Sequence, residues 1–242
     1  MIEIVPAIDI IEGRCVRLSK GNYAEKKVYD ASPADMVLQF ADCGVKRIHM
    51  VDLDGARASH PINLRTLETC AAKSGLEIEW GGGICDADAL KSIFDAGATQ
   101  SIVGSIAALN PELFREWLTR FGAEKMLLGS DVKDGIVAVK GWQEQTALTI
   151  SEQIGWFLPY GLKYVICTDI SRDGMLQGPS FELYSWLQEE FPSLVFTASG
   201  GISSMNDIVH LNELGLPKVI VGKAIYEKRI SLEDIKQWSL NA

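Results

Sequence analysis

Histidine is scarce in this chain: three residues in 242, His49, His60 and His210, with no HxH or HExxH spacing among them. Zinc and its relatives are held by clustered His and Cys at short intervals, so the common metal motifs are missing and no metal is expected. The five cysteines (Cys15, Cys43, Cys70, Cys85 and Cys167) are odd in number, far apart and free of any CxxC pair. They form neither a disulfide framework nor a zinc ribbon, and read as small apolar packing residues of a reducing compartment. No apolar run approaches the roughly 18 residues of a membrane span. The opening MIEIVPAIDI lacks the basic start, apolar stretch and small-residue cleavage site of a signal peptide, so a cytoplasmic protein is expected. Positive charge is also thin, 23 Lys and Arg against 32 Asp and Glu, for a net charge of −9. Binding a polyanion depends on clustered cations that release counterions, which argues against a nucleic-acid partner. Any small anionic ligand must be held by local geometry.

What is present is material for a core. Hydrophobic residues make up 47% and charged residues 23% of the chain, close to a globular average. Eight short β-branched runs recur: Ile2–Ile8, Arg47–Val51, Leu76–Trp80, Ser101–Val103, Met126–Gly129, Tyr164–Cys167, Leu194–Thr197 and Lys218–Val221. Between them lie segments with helical spacing. Pro33–Cys43 has Ser32 as its N-cap, and Asp86–Ala96 and Met205–Leu214 are closed by Gly97 and Gly215. Strict alternation implies a parallel sheet, and eight units in this length suit a closed (β/α)8 barrel spanning residues 1–242 as a single domain.

The sequence repeats itself. Gly82-Gly83-Ile84 matches Gly200-Gly201-Ile202, Gly97 matches Gly215, and Ile102-Val103-Gly104 matches Ile220-Val221-Gly222, all 118 residues apart. Asp9-Ile10 with Gly13 matches Asp131-Val132 with Gly135 at 122, and Asp54-Gly55 matches Asp173-Gly174 at 119. Two half-barrels of four βα units each account for this pattern.

In a parallel barrel the loops after strands seven and eight commonly bind phosphate, since glycines let backbone N–H groups approach an anion closely. Here those loops carry Gly200-Gly201 and Gly222-Lys223, and the repeat places Gly82-Gly83 and Gly104-Ser105 after strands three and four. Two such sites fit a substrate with a phosphate at each end; alternatively the glycines only punctuate turns. Asp9 and Asp131 fall at the ends of opposed strands one and five, where they can share acid–base work, unless each merely caps its own turn. A donor near neutral pH needs a raised pKa, so one of the pair should sit in a drier setting. Asp52, Thr168 and Asp169 end strands two and six and read either as partners at the same centre or as loop structure. Trp142 either stacks on a planar base or packs in the core. Arg17 either reaches a phosphate or lies on the surface, and His49 reads as a strand residue facing inward or toward the helix layer, with a ligand role as the alternative. The glycines at Lys20-Gly21 and Lys140-Gly141 suit loops that close over a ligand.

Taken together, Pro6-Ala7-Ile8-Asp9-Ile10 with Gly13 and Val16-Arg17-Leu18, Val51-Asp52-Leu53-Asp54-Gly55-Ala56, Gly81-Gly82-Gly83-Ile84, Asp173-Gly174 with Gly178, and Ser199-Gly200-Gly201-Ile202 resemble the phosphoribosylformimino-aminoimidazole carboxamide ribotide (ProFAR) isomerases of histidine biosynthesis. The resemblance covers essentially the whole chain. It implies a cofactor-free Amadori rearrangement of an aminoaldose to an aminoketose, converting ProFAR to PRFAR, with a bis-phosphorylated small molecule as partner; nothing in the sequence demands more than a monomer. Asp9 would take the proton from C2′ and Asp131 would open the furanose at O4′. Thr168 and Asp173 would support the substrate, and Gly178 belongs to the same motif. The chain departs from the family's pattern at Gly129, where a bulkier residue is expected beside Ser130-Asp131. The sister cyclase of the same pathway shares the half-barrel repeat and opposed aspartates, but opens with Cys-Leu-Asp where this chain has Ala7-Ile8-Asp9. An isomerase that also accepts phosphoribosylanthranilate, and a barrel that only senses phosphorylated metabolites, are the other readings.

Overall fold

A computed structural model describes residues 1–19 and 22–241, apart from the side chains at 19, 22, 24 and 25. The glycine-bearing stretch at Lys20-Gly21 lies outside the described residues. The strands run β1 (Glu3–Ile11), β2 (Arg14–Ser19), β3 (Asn22–Val28), β4 (Arg47–Asp52), β5 (Glu77–Gly81), β6 (Gln100–Val103), β7 (Met126–Lys133), β8 (Ile136–Val139), β9 (Glu144–Thr149), β10 (Tyr164–Asp169), β11 (Val195–Ser199) and β12 (Lys218–Val221). The helices are α1 (Pro33–Asp42), α2 (Leu53–Ala58), α3 (Leu64–Ser74), α4 (Ala87–Asp95), α5 (Ser105–Leu109), α6 (Pro111–Phe121), α7 (Ile150–Phe157), α8 (Phe181–Glu190), α9 (Met205–Glu213), α10 (Lys223–Tyr226) and α11 (Leu232–Leu240).

The sheet closes in the order β1, β4, β5, β6, β7, β10, β11, β12 and back to β1, every pairing parallel. This is the (β/α)8 barrel expected from the strand–helix alternation. The remaining four strands were not anticipated. β2 pairs antiparallel with β1 and then with β3, and β8 pairs antiparallel with β7 and then with β9. Each half of the repeat therefore raises a hairpin-like excursion on its first strand, and this pairing carries β1 and β7 past their expected ends. Asp9 and Asp131 consequently lie within strands, where the ladder fixes their direction more firmly than a loop would.

Period-two alternation sorts the side chains. On β4, Ile48 and Met50 point out to the helices while Arg47, His49 and Val51 point into the barrel. The outer layer is one large core in which Trp80, Phe196, Val219 and their neighbours meet Phe40, Leu67, Phe114 and Phe157 from the helices. Each such side chain contributes about 1.5–3 kcal/mol through burial. The barrel interior holds Val5, Ala7, Leu127, Ile166 and Ile220, with Ile102 and Tyr164 against them. Below that plug, Glu79 is fully buried near Arg47, Lys218 and His49, whose Nδ1 lies 3.5 Å from its Oε2. His49 thus faces inward, where it also lines the cavity.

The expected helix signals operate. The Ser32 hydroxyl accepts from the Asp35 N–H at 3.1 Å and Asp86 accepts from the Ala89 N–H at 2.7 Å. Gly97 and Gly215 follow α4 and α9 in the left-handed region that only glycine enters freely. All five cysteines are unpaired. Burial pushes the thiol of Cys70 up to about 11 and that of Cys15 up to about 12, so both are inert packing groups.

Candidate active site

The mouth of the barrel at the strands' C-terminal ends opens into a cavity of about 780 Å³. Asp9, Arg17, Asp131, Trp142, Thr168 and Asp173 all line it, as do Gly82, Gly83, Gly104, Ser105, Gly200, Gly201, Gly222 and Lys223. Gly178, expected beside them, is missing from the wall. Its N–H donates to the Gly201 carbonyl at 2.9 Å, so it shapes the loop behind the cavity.

Each opposed aspartate is met by a side chain from the excursion on its own strand. Arg17 on β2 places Nη1 2.6 Å from Asp9 Oδ2. Trp142, at the tip between β8 and β9, donates its indole N–H to Asp131 Oδ2 at 2.8 Å. Trp142 is thus at the cavity wall and not packed in the core, with its indole N–H committed to Asp131. The halves share geometry but not charge: Asp9 faces a cation, Asp131 a neutral donor. Burial raises the Asp131 pKa, opposed by the Trp142 indole, the Thr168 hydroxyl and the more distant His49. Thr168 is fixed beside it because β10 pairs with β7 in the register Thr168 to Asp131.

Arg17 is the hub of the other half. Its guanidinium lies 5.8 Å from the Tyr226 ring centroid, and a Cβ added to Gly222 would stand 1.1 Å from Nη2, so the glycine is required for this packing. Burial works to lower the Arg17 pKa, but Asp9 and then Asp173 more than offset it and hold it above its ordinary value. Asp173 is raised from its ordinary 3.8 to about 6, first by burial, with Arg17 pulling down and Asp9 and Asp131 pushing up.

That shift has a consequence for stability. A carboxyl whose folded pKa is raised favours the fold when protonated, so its contribution is complete below pH 3.8 and is lost as pH rises through about 6. The rise corresponds to about 3 kcal/mol at ~1.4 kcal/mol per pKa unit. Asp173→Asn removes the penalty. The variant is expected to melt several degrees above the parent at pH 7.5, by roughly 2–4 °C per kcal/mol in a chain this long, with the gap closing toward pH 4. Melting curves across that range check it; a gap constant with pH would contradict it.

The paired glycines do equivalent jobs in the two halves. Gly82 and Gly200 have φ of +100° and +98°, and a Cβ on them would stand 2.1 Å from the Asp52 carbonyl oxygen and 2.8 Å from that of Asp169. Gly83 and Gly201 press likewise on the carbonyls of His60 and Gly178, at 2.6 and 2.3 Å. They allow each loop to lie directly against the loop of the preceding strand. Gly104 and Gly222 share another conformation, φ/ψ of −101/−92° and −114/−95°. The internal repeat is therefore a repeat of backbone shape around the cavity.

Two aspartates weighed as partners at the centre turn away. Asp52 caps α2, accepting from the N–H groups of Gly55, Ile62 and Asn63 and from the Asn63 amide. Asp169 accepts from the Ser171 N–H and hydroxyl and from Ser180. Alternation aims both away from the barrel axis. The departure at Gly129 is filled from the side: a Cβ there would meet Ile102 Cγ2 at 3.1 Å, so the neighbouring strand supplies the bulk. Sequence reasoning missed Tyr23, Arg57 and Ile106, which also line the cavity. A lone Arg after Asp54-Gly55-Ala56 was the only sign of the second.

Among the described residues no group of three or more His, Cys, Asp or Glu is placed to hold a metal ion, and no helix is long and apolar enough to cross a membrane. Residues 3–231 match the family model described as histidine biosynthesis protein. The chain is 48% identical over 239 residues to the 1-(5-phosphoribosyl)-5-((5-phosphoribosylamino)methylideneamino)imidazole-4-carboxamide isomerase of Cytophaga hutchinsonii, covering 99% of this chain and 100% of that one. The isomerase of the same name from Parabacteroides distasonis is 48% identical over 239 residues, with the same coverage of each chain. That from Bacteroides thetaiotaomicron is 48% identical over 236 residues, covering 98% of this chain and 99% of the relative.

Proposed function

The chain belongs to the histidine biosynthesis protein family, an isomerase of its aldose–ketose kind, and from that premise we propose how its cavity works. The substrate is the bis-phosphorylated aminoaldose ProFAR, and the product is the aminoketose PRFAR. The glycine loops of the two halves hold one phosphate each. Asp131 protonates O4′, the C1′–O4′ bond breaks, and the ring opens to an iminium at C1′. Asp9 then takes the proton from C2′, giving an enolamine that collapses to the C2′ ketone as C1′ is protonated. The observation that carries the assignment is the asymmetry between the opposed carboxylates. Asp131 has a raised pKa and neutral donors around it, so it holds a proton more readily and suits donation. Asp9 is paired with Arg17 and must be freed from it to act as the base.

No cofactor or metal enters this chemistry. The unpaired thiols suit a cytoplasmic setting, the charge of −9 suits a protein with neither nucleic acid nor membrane as partner, and a single chain supplies every group the scheme uses. We read it as a monomer. Purified protein treated with a chelator is expected to convert ProFAR to the aminoketose without added ammonia. Absence of turnover there, with product formed from the aminoketose and ammonia instead, would replace the isomerase with the sister cyclase.

A further inference from the structure

We propose that Arg57, held by the ring of Tyr23, is a binding residue that supplies the positive charge for the phosphate at the first-half loops. This rests on the reading that the substrate carries a phosphate at each end of the cavity. The halves repeat in backbone but not in cations. Lys223 follows Gly222 in the second half, whereas its counterpart 118 residues earlier is the neutral Ser105. Conversely Arg57 follows Asp54-Gly55 in the first half, and its counterpart 119 residues later is Leu176. The first-half loops thus receive Arg57 and the second-half loops Lys223, beside Arg17, by different routes.

The helix that carries Arg57 is bound tightly to the loop it would serve. The Asp52 carbonyl, just before α2, lies 2.1 Å from where a Gly82 Cβ would be, and that of His60, just after it, 2.6 Å from a Gly83 Cβ. Arg57 stands in the last turn of α2 and lines the same cavity as both glycines. Among the described residues no acid lies within 4.0 Å of its guanidinium. Lys140, the other cation on this side, is tied to Glu144 at 2.8 Å. Tyr23 donates its hydroxyl to the Leu53 carbonyl at 3.0 Å, and its ring centroid is 5.1 Å from Arg57 Cζ. A ring orients the cation without neutralising its charge, which suits it to meet an anion.

The test follows two readouts on the parent protein, Arg57→Ala and Arg57→Lys: titration with inorganic phosphate, read by the amide NMR shifts of Gly82 and Gly83 against those of Gly200 and Gly201, and KM and kcat for ProFAR. Arg57→Ala is expected to weaken phosphate at Gly82 and Gly83 about tenfold, a loss typical of one charge-assisted hydrogen bond, and to leave Gly200 and Gly201 unchanged. KM should rise about tenfold with kcat within about threefold, and Arg57→Lys should recover part of both. Unchanged phosphate affinity at Gly82 and Gly83, or equal weakening at both loops, would overturn the proposal. If the parent does not turn over ProFAR yet Arg57→Ala loses phosphate at the first loops alone, the isomerase scheme fails and Arg57's role stands.

Discussion

Asp131→Asn is expected to lower kcat for ProFAR by about a thousandfold while changing the substrate's Kd by no more than a few-fold. General acid catalysis contributes on the order of 10²–10⁴, and an amide of the same shape can accept from the Trp142 indole, now at 2.8 Å from Oδ2, but cannot deliver a proton. The loss should fall on kcat and kcat/KM alike, because the missing interaction is made only as the ring opens. Stopped-flow binding and steady-state turnover separate the two quantities. Trp142→Phe is the companion: it removes the strongest of the bonds that lower the Asp131 pKa, so the alkaline limb of its pH–rate profile, where the donor loses its proton, should move to higher pH. A thousandfold loss of binding by Asp131→Asn would instead make the carboxylate a structural group.

Gly82→Ala is the second large effect, and here the damage is to the fold of the loop. The backbone sits at φ +100°, outside the region open to side chains, and the new Cβ would stand 2.1 Å from the Asp52 carbonyl oxygen. The contact cannot be relieved by turning a flexible side chain, since its partner is backbone. The loop must shift away from α2, at a cost of about 4 kcal/mol or more, in the range reserved for strain and overpacking. Gly75→Ala is the comparison, at φ +64° with open space around it; it should cost only about 1 kcal/mol. Gly104→Ala meets nothing closer than 3.6 Å and keeps a negative φ, so its stability should hold. Urea denaturation of the three variants orders them, and equal costs for Gly82→Ala and Gly75→Ala would contradict the steric account.

The barrel was legible because its signals are local. Eight β-branched runs, the Ser32 and Asp86 caps and the glycines after α4 and α9 depend only on neighbours in sequence. The excursions β2–β3 and β8–β9 were not, because Glu144–Thr149 is mostly polar and exposed or half-exposed, and in β2 the charged Arg14 and Arg17 flank Cys15 and Val16, so neither strand carries the β-branched run that marks the barrel. The fixed offset between the halves located the cavity's glycines and opposed aspartates, since a repeat preserves backbone shape. It could not say which side chains complete each half. Arg17 for Asp9 and Trp142 for Asp131 occupy non-equivalent positions, and Arg57 and Lys223 do too. For Asp52 and Asp169 the sequence left partner and loop structure open, and the loop role holds because one residue's difference in register turns a strand-end carboxylate from the cavity to the loop behind it.

The most direct test of the division of labour is release of label from C2′. With ProFAR deuterated at C2′, the parent protein should pass deuterium to solvent as product forms, while Asp9→Asn should bind the substrate and keep the label in place. Release by Asp9→Asn at the parent's rate would mean that another group takes the proton, and the assignment of Asp9 as base would fall.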